Sequence, residues 1–428
     1  MVTNPKVKQS KESIMNQMTR EIYEYYRDHK NECDNQYQIA MDKNIASIYE
    51  KLEGSLEREL VKVAIVILTA NKFEKNILHQ YVKARTNAVI KEAEITLFDH
   101  PEKHNVTNGY FFELEGYNIL HIACQVTGSY TIGGCADAVR YCIKSPYIFP
   151  TAFISFGICF GCKENKNHLC DTIISNKVYP YFIGVKINDE ELSASDDYVL
   201  STSSEMESKI NQYFEKNILP IDAKEFNVEF GNYITGEAVV SNRLAREAFI
   251  RTTKQPIIAG DMEAYGLFKE CNNAYRNIPC TVIKSICDWG ILKNVDDAEI
   301  YKEIFGEQSD EKEAKFVKDK LQAFAAYHSF LVLETLLKGI QNGKGQIEKP
   351  FEVSIYKRIC NKVKNETNEN TWYKQSLEEE AKRLYKEVKN TIASDYINTF
   401  CKNLENEFLL EDKGNRISRK NKVKKEGK

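Results

Sequence analysis

Three carboxylates stand where a strand-like run gives way to a helix-like or turn-like one. Glu74 follows the apolar run 61–68 by about one helical turn. Glu263 sits in Gly260-Asp261-Met262-Glu263-Ala264, and Asp288 closes the run 281–286 in Lys284-Ser285-Ile286-Cys287-Asp288-Trp289. Open α/β sheets place their sites at such strand ends. One carboxyl there serves as a helix cap or a solvated loop residue as readily as a reactive group. Three at equivalent edges point to paired acid–base chemistry, in which one group protonates a leaving atom and another activates water.

The elements that must position them lie in 61–340. Strand patterns at 61–68, 119–124, 151–155, 172–175, 226–234 and 280–286 alternate with helical spacing at 73–84, 135–142, 242–251 and 264–271. A charged stretch, 294–315, precedes a final helix over 321–337. The alternation predicts an α/β domain with a mostly central sheet covered by helices on both faces. Residues 1–60 form a helical N-terminal extension: Ile14, Met18, Ile22 and Tyr25, then Ile45, Ile48, Leu52 and Leu56, recur at helical spacing with a break near Asn35. Their apolar stripe has to cover the main domain or a second copy, so a homo-oligomer is expected. After Gln341-Asn342-Gly343-Lys344-Gly345, a linker by its chemistry, a helical C-terminal extension is expected over 341–412, from Leu377, Ala381, Leu384, Val388 and Ile392. The basic tail 413–428 is expected to lack fixed structure.

Composition bounds the rest. The 428 residues are 42% hydrophobic and 28% charged with a net charge of -3, which excludes global disorder and argues against a general nucleic-acid binder. No run approaches the roughly 18–20 apolar residues that cross a bilayer, and no signal-peptide h-region is visible. Twelve cysteines in such a chain read as reduced thiols, and the cytoplasm is the expected compartment.

Four segments then carry a resemblance: Ala70 to Glu74, the turn Gly157-Ile158-Cys159-Phe160-Gly161, Met262-Glu263-Ala264, and Ser285 to Asp288. They occur in the order found in the nucleoside phosphorylase superfamily and most resemble its methylthioadenosine/S-adenosylhomocysteine nucleosidase branch. Asp171-Thr172-Ile173-Ile174-Ser175, Thr235-Gly236-Glu237-Ala238-Val239-Val240 and Gln322-Ala323-Phe324-Ala325-Ala326 support it. The resemblance covers about 61–340 and implies a three-layer αβα phosphorylase-like domain with a central mixed sheet. It also implies cleavage of a purine–ribose bond. In its terms Asp288 protonates the purine N7, Glu74 orients the attacking water, and Glu263 binds the ribose hydroxyls with Met262 under the sugar. Val239, Val240, Gly157, Cys159 and Trp289 would line the substrate. Two positions depart from the pattern. Val239 stands where an aromatic residue is common, so stacking on the base would have to come from Trp289 or Tyr233; Phe160 stands where glycine is usual.

A phosphorylase must hold a phosphate dianion, which favours arginine. Neither 125–134 nor the turn at Gly157 contains Arg or Lys, so water is the expected nucleophile, although backbone amides around Gly128 and Gly133 could form an anion nest. Lys72, Arg243 and Lys284 are candidate ligands for the phosphate of a nucleotide, or plain surface charge. Superfamily members with added domains resemble antiphage effectors that destroy nucleotides, and both extensions fit that reading. No cofactor and no metal is expected: Gly128 to Gly133 lacks the Lys-Ser/Thr of a phosphate loop, and Cys159, Cys162, His168 and Cys170 read better as packed thiols and loop polarity than as a zinc set. The rival reading is a non-catalytic binding or assembly protein on the same fold. The expected partner is a small-molecule purine nucleoside or nucleotide; no membrane is expected.

Overall fold

The computed structural model describes residues 5–342 except 101–102, 125, 146, 149, 182–184, 188–191, 195–198, 202–226, 238–239, 241–242, 274–277, 291–297 and 307–310. The C-terminal helical extension and basic tail expected beyond 342 lie outside the described residues, as does Val239. One compact unit comprises the described residues of 1–54, 64–144 and 150–345; those of the other fall in 55–63 and 145–149. The N-terminal helices therefore belong to the same unit as the sheet.

Helices α1 (Pro5–Asp28) and α2 (Lys30–Ala40) break at His29 rather than near Asn35. The helical spacing expected to run on to Leu56 is interrupted by a short 3-10 turn and strand β1 (Tyr49–Lys51), which pairs in parallel with Ile90–Glu92. Sheet pairing captures that segment because a three- or four-residue apolar spacing cannot by itself hold a helix. Helix α3 (Leu56–Lys62) follows, with Glu57 and Glu59 in its first turn and Lys62 in its last, matching the helix dipole at both ends. The strand expected over 61–68 is accordingly shorter: β2 spans Ile65–Thr69.

Next come α4 (Lys72–Thr86), β3 (Ile90–His100), β4 (Lys103–Leu114), β5 (Tyr117–Ala123), α5 (Cys135–Lys144), β6 (Ala152–Gly161) and β7 (Thr172–Pro180). The short strands β8 (Val185–Ile187), β9 (Leu192–Ala194) and β10 (Leu200–Ser201) precede β11 (Val228–Thr235). The chain continues through α6 (Arg243–Thr253), β12 (Ile257–Asp261), α7 (Ala264–Asn272) and β13 (Cys280–Asp288). Helices α8 (Ala298–Phe305) and α9 (Glu311–Asn342) end the described chain, the latter starting inside the stretch expected to be a charged insertion.

The fold is α/β with a central mixed sheet. Its path runs β1-β3-β4-β5-β2-β6-β12-β11-β7-β10, and β13 pairs with both β6 and β7. Strands β6, β12, β11, β7 and β13 thus close into a ring, while β2, β5, β4, β3 and β1 extend from the first half of β6. Every residue of β2, β12 and β13 is buried, as strands covered on both faces must be. Helix α9 packs on β6 and β13 and against α2 and α4, contributing Phe330, Leu333 and Leu337 to the main core. No helix among the described residues is long and apolar enough to cross a membrane.

Candidate active site

Glu74 is the third residue of α4. Asn71 caps that helix by accepting from the amides of Phe73 and Glu74 at 2.9 and 3.0 Å. Glu74 answers through Oε2, which accepts from the amides of Ala70 and Asn71 at 2.6 and 3.0 Å. This is a capping box, so the ordinary helix-cap role is real. The other oxygen does something a cap does not: Oε1 crosses to strand β6 and accepts from the amide of Ile158 at 2.9 Å. Three of about four acceptor positions are thereby filled, leaving one on the carboxylate for another donor. Gly157 makes the crossing sterically allowed. A Cβ there would stand 2.1 Å from Oε1, and its φ of +145° is one side chains rarely adopt. The Gly157 expected in a turn is therefore inside β6, where its bareness makes room for a carboxylate.

Glu263 caps nothing with its side chain, although it sits at the N-cap of α7. Its Oε2 accepts from the Lys284 ammonium at 2.7 Å and its Oε1 from the amide of Gly128 at 3.3 Å. Lys284 also lies 2.9 Å from Asp261 Oδ2, both side chains being 1% exposed. Lys284, a candidate phosphate ligand by sequence, is thus buried and matched by the protein's own carboxylates. Asp261 was not singled out by sequence. Its spacing two residues before Glu263 at a strand end, which turns both toward one side, was the available signal.

One buried ammonium faces three carboxylates. Burial alone would lower Lys284, but Asp261, Glu263 and Glu74 push it well above the usual lysine range. Burial raises Asp261, against the pull of Lys284. Glu74 is pushed up to about 7, first by burial and then by Glu263, with Lys284 and the amides of Ala70 and Ile158 opposing. A carboxyl poised there exchanges protons at neutral pH, as a general base requires.

Asp288 lies on the same strand pair. Lys284 is opposite Gly157 and Asp288 opposite Phe160, three residues farther along β6, or about 10 Å at the usual strand rise. The register shifts between Ile286 and Asp288, so Cys287 is the extra residue of a bulge, a device that re-aims the following side chain. Asp288 Oδ1 accepts from the amide of Gly290 at 2.7 Å, and the Cys287 thiol lies 3.7 Å from Oδ2.

The remaining expected residues divide. Met262 is half-buried, and its carbonyl accepts from Ser129 Oγ at 2.8 Å. Val240 packs in an apolar cluster with Phe160, Tyr181 and Ile234. The Cys159 thiol is buried 3.6 Å from the Lys284 carbonyl. Trp289 is fully buried with its ring against Gly161, and the Tyr233 hydroxyl is committed to the carbonyl of Ile173 at 2.8 Å, so neither ring is free to stack on a base. Phe160 instead lies beside Asp288, its ring against the bare Cα atoms of Gly260 and Gly290. Lys72 is exposed, its ammonium 4.9 Å from the Phe73 ring; Arg243 begins α6, and nothing further is described of it.

The loop 126–134 differs from an anion nest. Beyond the Gly128 contact, the Tyr130 amide and Thr131 hydroxyl donate to Glu237 at 2.8 and 2.9 Å, and the Gly133 amide to Asp137 at 2.9 Å. Four of its donors are thus directed at three carboxylates.

No family model and no curated protein matches the sequence. Among solved structures, the chain is similar to nucleosidases. A 5′-methylthioadenosine/S-adenosylhomocysteine nucleosidase from Neisseria meningitidis, in complex with methylthio-immucillin-A, is 14% identical at a TM-score of 0.45, over 64% of this chain and 98% of that one. One from Colwellia psychrerythraea, in complex with adenine, is 13% identical at 0.47 over 65% and 96%. The futalosine hydrolase of Helicobacter pylori is 14% identical at 0.46 over 64% and 97%.

Proposed function

We propose that this protein is a purine N-ribosidase that uses water as its nucleophile. The observation that carries the reading is the buried group of Glu74, Glu263 and Lys284, with Asp288 farther along the same strand pair. Asp288 donates its proton to N7 of the purine as the C1′–N9 electron pair leaves with the base. Charge develops on the ribosyl carbon, and a water held by Glu74 attacks it while Glu74 takes the water's proton. Glu263, held in place by Lys284, accepts hydrogen bonds from the ribose hydroxyls. These roles follow the sequence resemblance; what supports them is that Glu74, Glu263 and Asp288 stand along one strand pair, Glu74 bonded to Ile158 of β6, Glu263 to Lys284 of β13, and Asp288 at the end of β13.

Hydrolysis is favoured over phosphorolysis by the loop 126–134. A phosphate there would meet Glu237, Glu263 and Asp137 in place of free amides. The finer reading, a nucleotide-depleting antiphage effector, rests on the resemblance and on Lys72 alone among the three candidate cations whose side chain is described as exposed.

The test is incubation of purified protein with adenosine, methylthioadenosine, S-adenosylhomocysteine, AMP and ATP in phosphate-free buffer, with free base and sugar read by chromatography. Base and free sugar from at least one substrate is the expected result, and the preferred 5′ substituent decides between nucleoside and nucleotide. Release only after phosphate is added overturns hydrolysis.

A further inference from the structure

The buried guanidinium of Arg246, on α6, has no part in the chemistry above. The side chain is 2% exposed, and burying a charge costs several kcal/mol unless its donors are matched. Nη2 pairs with Glu164. Nη1 donates to the carbonyls of Gly161 at 3.1 Å and Trp289 at 2.6 Å, joining the ends of β6 and β13. Nε finds no acceptor among the described residues. An apolar side chain would hold two strand ends together at lower cost, so what the charge touches deserves a functional account.

One of its contacts leads to Asp288. The Trp289 carbonyl that accepts from Arg246 belongs to the same peptide as the Gly290 amide, and that amide donates to Asp288 Oδ1 at 2.7 Å. The line runs from guanidinium to carbonyl, through the peptide plane, to amide and carboxyl. A charge-assisted bond at the carbonyl polarises the peptide and strengthens the bond its amide makes. The turn also fixes the peptide's direction: Gly290 has φ +65°, and a Cβ there would stand 2.8 Å from the Phe160 ring. Oδ1 is thus held by the peptide, while Oδ2 meets only the weaker thiol donor of Cys287 at 3.7 Å among the hydrogen bonds described.

We infer that Arg246 is a positioning residue for Asp288, acting through the Trp289–Gly290 peptide. The inference rests on the acid role proposed for Asp288.

The experiment is a double-mutant cycle on base release with R246M, R246K and D288N. R246M lowers kcat about 100-fold, the usual cost of a catalytic group displaced by an ångström, with KM nearly unchanged. R246K, keeping a charge but not the fork, falls between R246M and wild type. In the D288N background R246M has no further effect on kcat, because the group it positions is already disabled. A merely structural arginine would lower the melting temperature equally in both backgrounds and leave kcat of the folded protein alone. Wild-type kcat in R246M, or an undiminished effect beside D288N, overturns the inference while leaving the ribosidase reading intact. Wild-type activity in D288N overturns the acid role proposed for Asp288 and the inference with it, since base release would then proceed without that carboxyl. Should R246M fail to fold, R246K carries the same test, with a full kcat as the contradicting result.

Discussion

The carboxylate of Glu74 rests against the bare Cα of Gly157: a Cβ there would come within 2.1 Å of Oε1 and 2.2 Å of the carboxyl carbon. Strand β6 and the start of α4 meet at this point, and Oε1 reaches the Ile158 amide only because residue 157 has no side chain. G157A therefore displaces the proposed base. Its kcat is expected to fall about 100-fold, with a stability loss of about 1–3 kcal/mol from the strained φ and the overlap. Steady-state kinetics beside a denaturant titration separate the two effects.

Glu74 also sets a pH dependence. Its carboxyl is raised from the ordinary 4.5 to about 7, chiefly by burial. The base works ionised, so kcat/KM should fall about tenfold for each pH unit below that value. Stability moves the opposite way. Below about 4.5 the group is protonated in both folded and unfolded chains and costs nothing. As pH rises toward 7 the unfolded chain ionises first, so stability falls, by about 3 kcal/mol in total for a shift of this size. E74Q should lack this decline between pH 5 and 8, whatever its absolute stability. Equal slopes in the two proteins would show that the shift is not there.

Lys284 neutralises the buried carboxylates of Asp261 and Glu263. K284M leaves Asp261 and Glu263 buried without their cation, and its stability should drop by about 3–5 kcal/mol, read by urea unfolding. A loss under about 1 kcal/mol, typical of an exposed pair, would contradict the burial of this cluster.

The loop 126–134 predicts indifference to phosphate. Adding inorganic phosphate to the reaction should change neither the rate nor the sugar product, since the amide of Tyr130 and the hydroxyl of Thr131 already serve Glu237. Formation of a ribose 1-phosphate is the contrary result.

Much of the candidate site is legible in the sequence because strand ends announce themselves. The β-branched runs ending near Thr69 and Asp288, and the Gly-Asp-Met-Glu step before α7, place Glu74, Asp288 and Glu263 from sequence alone. What was not legible depends on pairing between distant segments. The close approach of Glu74 to Gly157 needs the β2–β6 register, and Gly157 looked like a turn because glycine usually marks one. The lysine at 284 looked like surface charge because only the fold shows that β13 is buried throughout. Strands β3 and β4 escaped notice since their mixed polar and apolar residues suit a half-exposed hairpin. Arg246 gives no signal: a charge on a helix is ordinarily solvated, and its partners, Glu164 and the carbonyls of Gly161 and Trp289, are distant in sequence and marked by no pattern.

The central claim is that Asp288 delivers the proton on which the base departs. The most direct measurement compares free purine released by wild-type protein and D288N, under phosphate-free conditions, from whichever substrate the wild type cleaves best. Loss of about 10²–10⁴ in kcat, with fold and melting temperature retained, is the predicted result. Release by D288N at the wild-type rate would contradict it.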